Sequence, residues 1–470
     1  MHQVSQLAPR DAVNPAAARG AIRYHRSAAM TPITDTPPGA PSGPRLLARV
    51  RDELRAFPRQ FWLLAAGFVV LLTGVDMCFP FQTTYLHDRL GISMTAIGLL
   101  LGIPLLAALP FYVLNGIVTD RYGRKPAMIT GICFVTTLYT TLALSGAVWQ
   151  IAVVISLEAA FGWALFLTGS NAMVADLVPF RRRAEAYSIT RVAVHIGMVA
   201  GPLTASALIA RDPTYRTLFL TGASICLVFV LIVAAGFRET RPAATRADSS
   251  LRATARGYGV VLRDRRFLVF CAIALLPLYG FGQIWTILPV MLRNAQDMPA
   301  QTWGLVVAFY GVSVAIFQYP VIRLLRAKDH VVLMAVASAL VGLGLGGAVL
   351  VPWGPLTFVA VFVLGQGVLL LVPISSAVSA AMAPVALRGR YMGTWILAQE
   401  AGYALGPTFG GMAMDGLGER GAALVALICG LTGAVLYAAL ARRFRAADAA
   451  AAAAADALAA GAPPAAPPGA

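Results

Sequence analysis

From Phe61 onward the chain consists of apolar stretches, each about 18 residues or longer, separated by short polar breaks. A helix of that length spans the roughly 30 Å hydrocarbon core of a bilayer. Twelve such stretches can be counted, at 61–85, 94–118, 126–147, 149–173, 187–210, 216–237, 267–292, 302–325, 331–351, 355–382, 391–415 and 421–441. They lack the strict alternation of barrel strands, which also run only about 10 residues. Composition agrees, since 58% of residues are hydrophobic and 12% charged, against about a quarter charged in soluble domains. The expectation is an all-α membrane protein with 12 transmembrane helices.

A formal charge of +16 would fit a nucleic-acid binder, but its placement argues otherwise. If the first helix runs from inside to outside, 31 of the 37 Lys and Arg fall in segments that alternate onto one side. Arg89, Arg211, Arg216, Arg293 and Arg420 fall on the other, and Arg191 lies within the fifth run. That asymmetry predicts cytoplasmic N- and C-termini in a multi-pass protein of the plasma (inner) membrane, with no nucleic-acid partner. The five cysteines lie inside apolar runs without metal-ligand spacing, so they read as small core residues, and neither metal nor cofactor is expected.

Residues 1–60 are Pro- and Arg-rich and too polar for a signal peptide. They are expected to form a mostly disordered cytoplasmic tail, in which 45–57 has the pattern of an amphipathic helix at the membrane surface. Residues 446–470 are an Ala/Pro-rich tail expected to be disordered.

The longest internal polar segment, 238–266, reads as a cytoplasmic linker between six-helix halves at 61–237 and 267–445. Shifting the chain by 205 residues brings Arg183 onto Arg388, Gly197 onto Gly402, Gly201 onto Gly406 and Pro202 onto Pro407. Six helices repeated in the same order predict two pseudo-symmetric halves with a substrate site between them near midplane.

Between the second and third runs stands NGIVTDRYGRKPAM, 115–128. Gly116, Asp120, Arg121, Gly123, Arg124 and Lys125 match G-x-x-x-D-R-x-G-R-K, and on them the chain resembles the major facilitator superfamily over about 60–445. Gly116 would let the second helix approach a neighbour, and Gly123 would allow a sharp turn. The resemblance implies a cytoplasmic latch in which Asp120 meets the N-terminal end of the eleventh helix, near Arg390. Asp176 is the expected partner for the cations. Gly197, Gly201 and Pro202 resemble the family's antiporter-associated G-x-x-x-G-P-x-x-G-G element, with Ala205-Ser206 in place of its last two glycines. Gly402, Gly406, Pro407, Gly410 and Gly411 supply the complete form. Small residues at this spacing let helices pack closely, and proline frees a carbonyl.

An ionisable side chain near midplane costs about 2.5–3.5 kcal/mol, so each is a functional candidate. Asp76 and Glu158 lie at one depth, about 14 Å from the outer ends of their helices at 1.5 Å per residue. His195 and Glu400 are partners under the 205-residue shift. Gln283, Gln366 and Gln399 add polar groups, as does Trp285, while Arg191 would snorkel or pair with Glu185. A carboxyl that meets water on alternate sides of a membrane can carry a proton. The expected function is proton-coupled efflux of small amphipathic or cationic compounds by a protein that is not an enzyme. Its partners would be a small-molecule substrate, protons and the lipid bilayer, with the chain acting as a monomer. Proton-coupled uptake of a metabolite is the alternative, and a non-transporting sensor or scaffold the reading from another class.

Overall fold

The computed structural model describes residues 57–179, 182–240, 259–325, 327–384 and 387–459. The amphipathic pattern at 45–56, most of the linker (241–258) and the last residues from 460 lie outside the described residues. Among the described residues every regular element is helical. The first half holds α1 (Arg59–Cys78), α2 (Gln82–Asp88), α3 (Met94–Ala107), α4 (Leu109–Tyr122), α5 (Arg124–Leu144), α6 (Val148–Phe161), α7 (Trp163–Leu177), α8 (Arg183–Arg211) and α9 (Arg216–Gly236). The second holds α10 (Arg265–Gln283), α11 (Leu288–Gln296), α12 (Trp303–Leu325), α13 (His330–Leu350), α14 (Pro355–Met382) and α15 (Arg388–Ala459).

Ten helical stretches are long and apolar enough to cross a membrane, and the bent pair α3–α4 makes an eleventh. One of the ten, α15, holds the last two apolar runs, and Gly418 breaks it between them with φ 73°, a left-handed value that glycine accepts without cost. Contacts with α10 show that the chain reverses there. Tyr391 packs on Phe267, Trp395 on Phe270 and Gly402 on Leu278, so this part runs parallel to α10. Beyond Gly418, Gly433 meets Pro277 and Tyr437 bonds the Phe270 carbonyl, in the opposite direction. The helix continues to Ala459, past Ala446 where disorder was expected, because alanine is the strongest helix former. The expected linker also ends earlier than 266, since the Asp264 carboxylate caps α10 through the amides of Arg266 and Phe267.

Other runs break inside the bundle. The second bends by 43° between α3 and α4, where Pro110 opens the new helix and offers no N–H to the old one. The fourth is interrupted at Gly162. These interruptions are invisible to a hydropathy window because the residues on both sides remain apolar.

The two halves repeat one packing, within a compact unit that ends at Ala441. A methyl added at Gly201 of α8 would lie 2.7 Å from the Met77 nitrogen and 2.8 Å from the Thr73 oxygen of α1. One added at Gly406 of α15 would lie 2.6 Å from Gly282 and 2.9 Å from the Gln283 nitrogen of α10. Gly197 against Leu72 and Gly402 against Leu278 complete the parallel. Backbone meets backbone at both places, so neither neighbour can yield by changing a rotamer. Overpacking a tight core costs about 1–3 kcal/mol, and more where nothing can move. Gly406→Val should therefore strongly reduce folded protein recovered by size-exclusion chromatography. Recovery equal to the parent would mean the helices can separate without cost.

Candidate functional site

Three carboxyls stand inside the bundle on three different elements: Asp76 on α1, Glu158 near the end of α6 and Glu400 on α15. Each keeps part of its surface accessible. Among the described residues none forms an ion pair with a cation, and the side chain of Asp76 has no hydrogen-bond partner. Tyr139 of α5 lies within electrostatic reach of both Asp76 and Glu158. The Glu158 Oε1 accepts from the Trp163 N–H at 3.2 Å, so this carboxyl also serves the backbone.

Glu400 is approached from the other half. The Tyr112 hydroxyl of α4 lies beside its carboxyl, and Glu158 is a further charge near that hydroxyl. Its chain neighbour Gln399 donates to the Tyr403 hydroxyl, one turn on, at 3.0 Å. His195 on α8 faces Gln318 of α12, with Arg191 a turn away. Gln283 is fully buried, with the Tyr279 side chain beside its amide. Among the described residues the Gln366 amide nitrogen is buried without a partner. The Trp285 ring sets its edge against Tyr310 at 5.6 Å. Arg191 does not pair with Glu185, which instead binds Arg182 at 3.1 Å, one turn closer to the helix start.

Tyr112 and Gln318 were not singled out from sequence. They are related by a shift of 206 residues rather than 205, as are Gly98 and Gly304, and Gly74 and Gly280. The register of the repeat thus changes by one residue between the early and late helices of each half. A search for a second shift would have found them.

The end of the bundle that the charge pattern assigns to the outside, called outer below, is closed. A methyl on Gly98 of α3 would collide with the Pro407 carbonyl of α15, and one on Gly304 of α12 with the Pro202 carbonyl of α8. These two crossings are repeat-related and join the halves. Gly102 sits against Thr408, and Gly411 against the Met94 carbonyl. The Asp415 carboxylate accepts from the Met94 N–H at 3.2 Å and the Thr95 N–H at 2.7 Å, capping α3. Arg293 pairs with Asp88, and the Trp303 indole donates to the Pro80 carbonyl at 3.1 Å. Losing a carboxylate cap costs about 0.5–2 kcal/mol. Asp415→Ala should therefore raise labelling of an outer-end cysteine several-fold, and unchanged labelling would show that the cap does not hold this end shut.

The loop at 115–128 behaves differently. Gly123 has φ 110° and sharpens the turn into α5. Arg124 is buried, binding Asp176 at 3.0 Å and Asp120 at 3.2 Å. Lys125 donates to the Ala234 and Phe237 carbonyls at 2.7 and 3.0 Å, and Arg121 stacks beside Tyr122. Glu239 accepts from the backbone amides of Arg124 and Lys125, a partner not foreseen from sequence. Two expected contacts are not made among the described residues. Asp120 is 74% exposed and its carboxylate pairs with Arg124. Gly116 meets no heavy atom within 4 Å of an added methyl, so no close approach uses it here. Gly410 faces Gln283 and Ile287.

The family model of the Major Facilitator Superfamily matches residues 64–369 and 284–466. A Na(+), Li(+), K(+)/H(+) antiporter of Planococcus maritimus is 24% identical over 384 residues, covering 76% of this chain and 89% of the relative. The multidrug resistance protein MdtH of Yersinia enterocolitica is 27% identical over 375 residues, covering 77% and 88%. Among solved structures, the nucleoside transporter NupG superposes with a TM-score of 0.67 at 16% identity over 82% of this chain and 99% of that one. A POT family transporter in complex with 5-aminolevulinic acid gives 0.68 at 14% identity over 82% and 95%. At those identities the structural likeness concerns the fold.

Proposed function

Because the chain belongs to the Major Facilitator Superfamily and is an integral membrane transporter rather than an enzyme, we propose that it is a proton-coupled exporter of small amphipathic or cationic compounds. Alternating access would expose Asp76, Glu158 and Glu400 to each side in turn. The observation that carries this reading is the set of three partly accessible interior carboxyls with no paired cation among the described residues. Such groups can take up and release protons or meet a cationic substrate. The approach of Tyr112 to Glu400 supports it further, since it brings the two halves together near the acids and must change when they rock. The antiporter and multidrug-resistance names of the two relatives agree with exchange of protons for another solute. Both termini are proposed to be cytoplasmic, in the inner membrane of the cell.

The test uses purified protein in vesicles of known orientation, with an imposed pH gradient and a panel of labelled lipophilic cations and neutral compounds. A gradient should drive at least one cation uphill, away from the side of the termini, and a protonophore should abolish that accumulation. Flux of every compound that ignores the gradient would remove the coupling, and uphill movement toward the termini would remove export. Tags at either terminus should be protected in sealed right-side-out vesicles, and their digestion from outside would reverse the topology.

A further inference from the structure

The interruption of the fourth run is constructed from several elements. The α6 helix ends with the Gly162 N–H bound to the Glu158 carbonyl at 2.6 Å, and Gly162 takes φ −83° and ψ −102°, outside helical values. The next helix, α7, begins at Trp163, whose N–H is met by the Glu158 carboxyl. A methyl at Gly162 would lie 2.7 Å from that same carboxyl oxygen, so only glycine leaves the side chain room to fold back. The Ala160 carbonyl, freed by the break, accepts from Asn115 Nδ2 at 3.0 Å. Across from the break, a methyl at Gly131 of α5 would lie 2.7 Å from the Gly162 carbonyl and 2.8 Å from the Phe166 nitrogen. Three neighbours therefore accommodate an irregular backbone that lipid would not tolerate unsatisfied.

Of those three, only Glu158 can change its charge. An ionised carboxyl on a helix N-terminal N–H is a charge-assisted bond, helped by the positive end of the helix, and roughly twice as strong as a neutral one. Protonation removes that advantage. The titratable groups around Glu158 are Tyr112 of α4, Tyr139 of α5, Asp76 of α1 and, beyond Tyr112, Glu400 of α15. No ionisable residue comes from α3. At the far end of α7, Arg124 of α5 binds Asp176, and Arg183 of α8 binds the Ala175 and Val178 carbonyls.

We propose that Glu158 is the cap of a proton-operated hinge in this transmembrane segment. Ionised, it holds α6 and α7 apart at Gly162. When it takes a proton from water, the new O–H weakens the bond to the Trp163 N–H and the two helices realign. Proton binding at one carboxyl becomes movement of the α6 end relative to the α7 end. This deepens the proton-coupled reading and rests on it for its role in transport.

Nitroxide labels at Val153 on α6 and Leu167 on α7, both exposed, report the hinge in full-length protein with the five native cysteines replaced. In lipid nanodiscs the parent distance distribution should shift with pH as a single titration. Glu158→Gln should hold the low-pH distribution at every pH. Trp163→Pro removes the N–H at the first helical position, where proline is accommodated, and should also lose the pH response while keeping the carboxyl. A parent distance that does not move with pH overturns the hinge, as does a Glu158→Gln protein that titrates like the parent. Vesicle transport on the same samples separates the two ideas. Labels that titrate without gradient-driven transport leave the hinge standing and remove the coupling, whereas gradient-driven transport with unmoved labels removes the hinge alone.

Discussion

Gly98→Val should leave the protein folded but hold its outer end open, with transport reduced toward background. The added methyl would collide with the Pro407 carbonyl of the opposite half, a contact made only when this end is closed. Within its own half Gly98 faces no such obstacle, so the halves can fold and then fail to meet. A penalty of about 1–3 kcal/mol on one of two states shifts their ratio by about 5–150-fold. A cysteine at Thr84, 3% exposed here, should then react with a membrane-impermeant thiol reagent far faster than in the parent. Gly304→Val, at the repeat-related crossing onto Pro202, should do the same. Gly406→Val, which clashes within one half, should damage folding instead. Normal transport by Gly98→Val would mean that the crossing of α3 on α15 takes no part in the cycle.

Asp76→Asn should abolish gradient-driven accumulation while preserving exchange of labelled for unlabelled substrate. The amide keeps the shape of the carboxyl but cannot cycle a proton. Asp76 is also the acid with no hydrogen-bond partner among the described residues, so the substitution breaks no bond and its effect reads charge alone. Its helix remains pinned, because the close approach of Gly201 is to the backbone of Thr73, Asp76 and Met77. Glu158→Gln is expected to weaken cationic substrates more than neutral ones, in addition to its effect on the hinge. Should the double Asp76→Asn, Glu158→Gln protein still accumulate substrate under a pH gradient, coupling would pass to Glu400, beside Tyr112, and to His195 beside Gln318.

The contrast among the glycines shows what could be read in advance. Gly197, Gly201, Gly402 and Gly406 stand at helical spacing beside a proline and are all packed against another helix. Gly116, from the most specific motif in the chain, has open space where a side chain would stand, while Gly98 and Gly304 carry the crossings between halves. A motif describes what a residue does over a whole transport cycle, whereas one structure shows it at one stage. Asp120 is the same case, 74% exposed here and paired with Arg124 of its own loop.

By itself the sequence determined the helical class, the membrane, the repeat and the interior acids, because a bilayer imposes a minimum apolar length and penalises every charge within it. Those are one-dimensional constraints that can be checked along a single chain. Tertiary structure alone decided that Glu158 caps a broken helix, that Tyr112 reaches Glu400 from the other half, and that Asp415 closes the outer end. Each depends on how two helices cross and on a local break in a uniformly apolar run, which hydropathy averages away. It also depends on which of two arrangements of the halves is present, and both arrangements share one sequence.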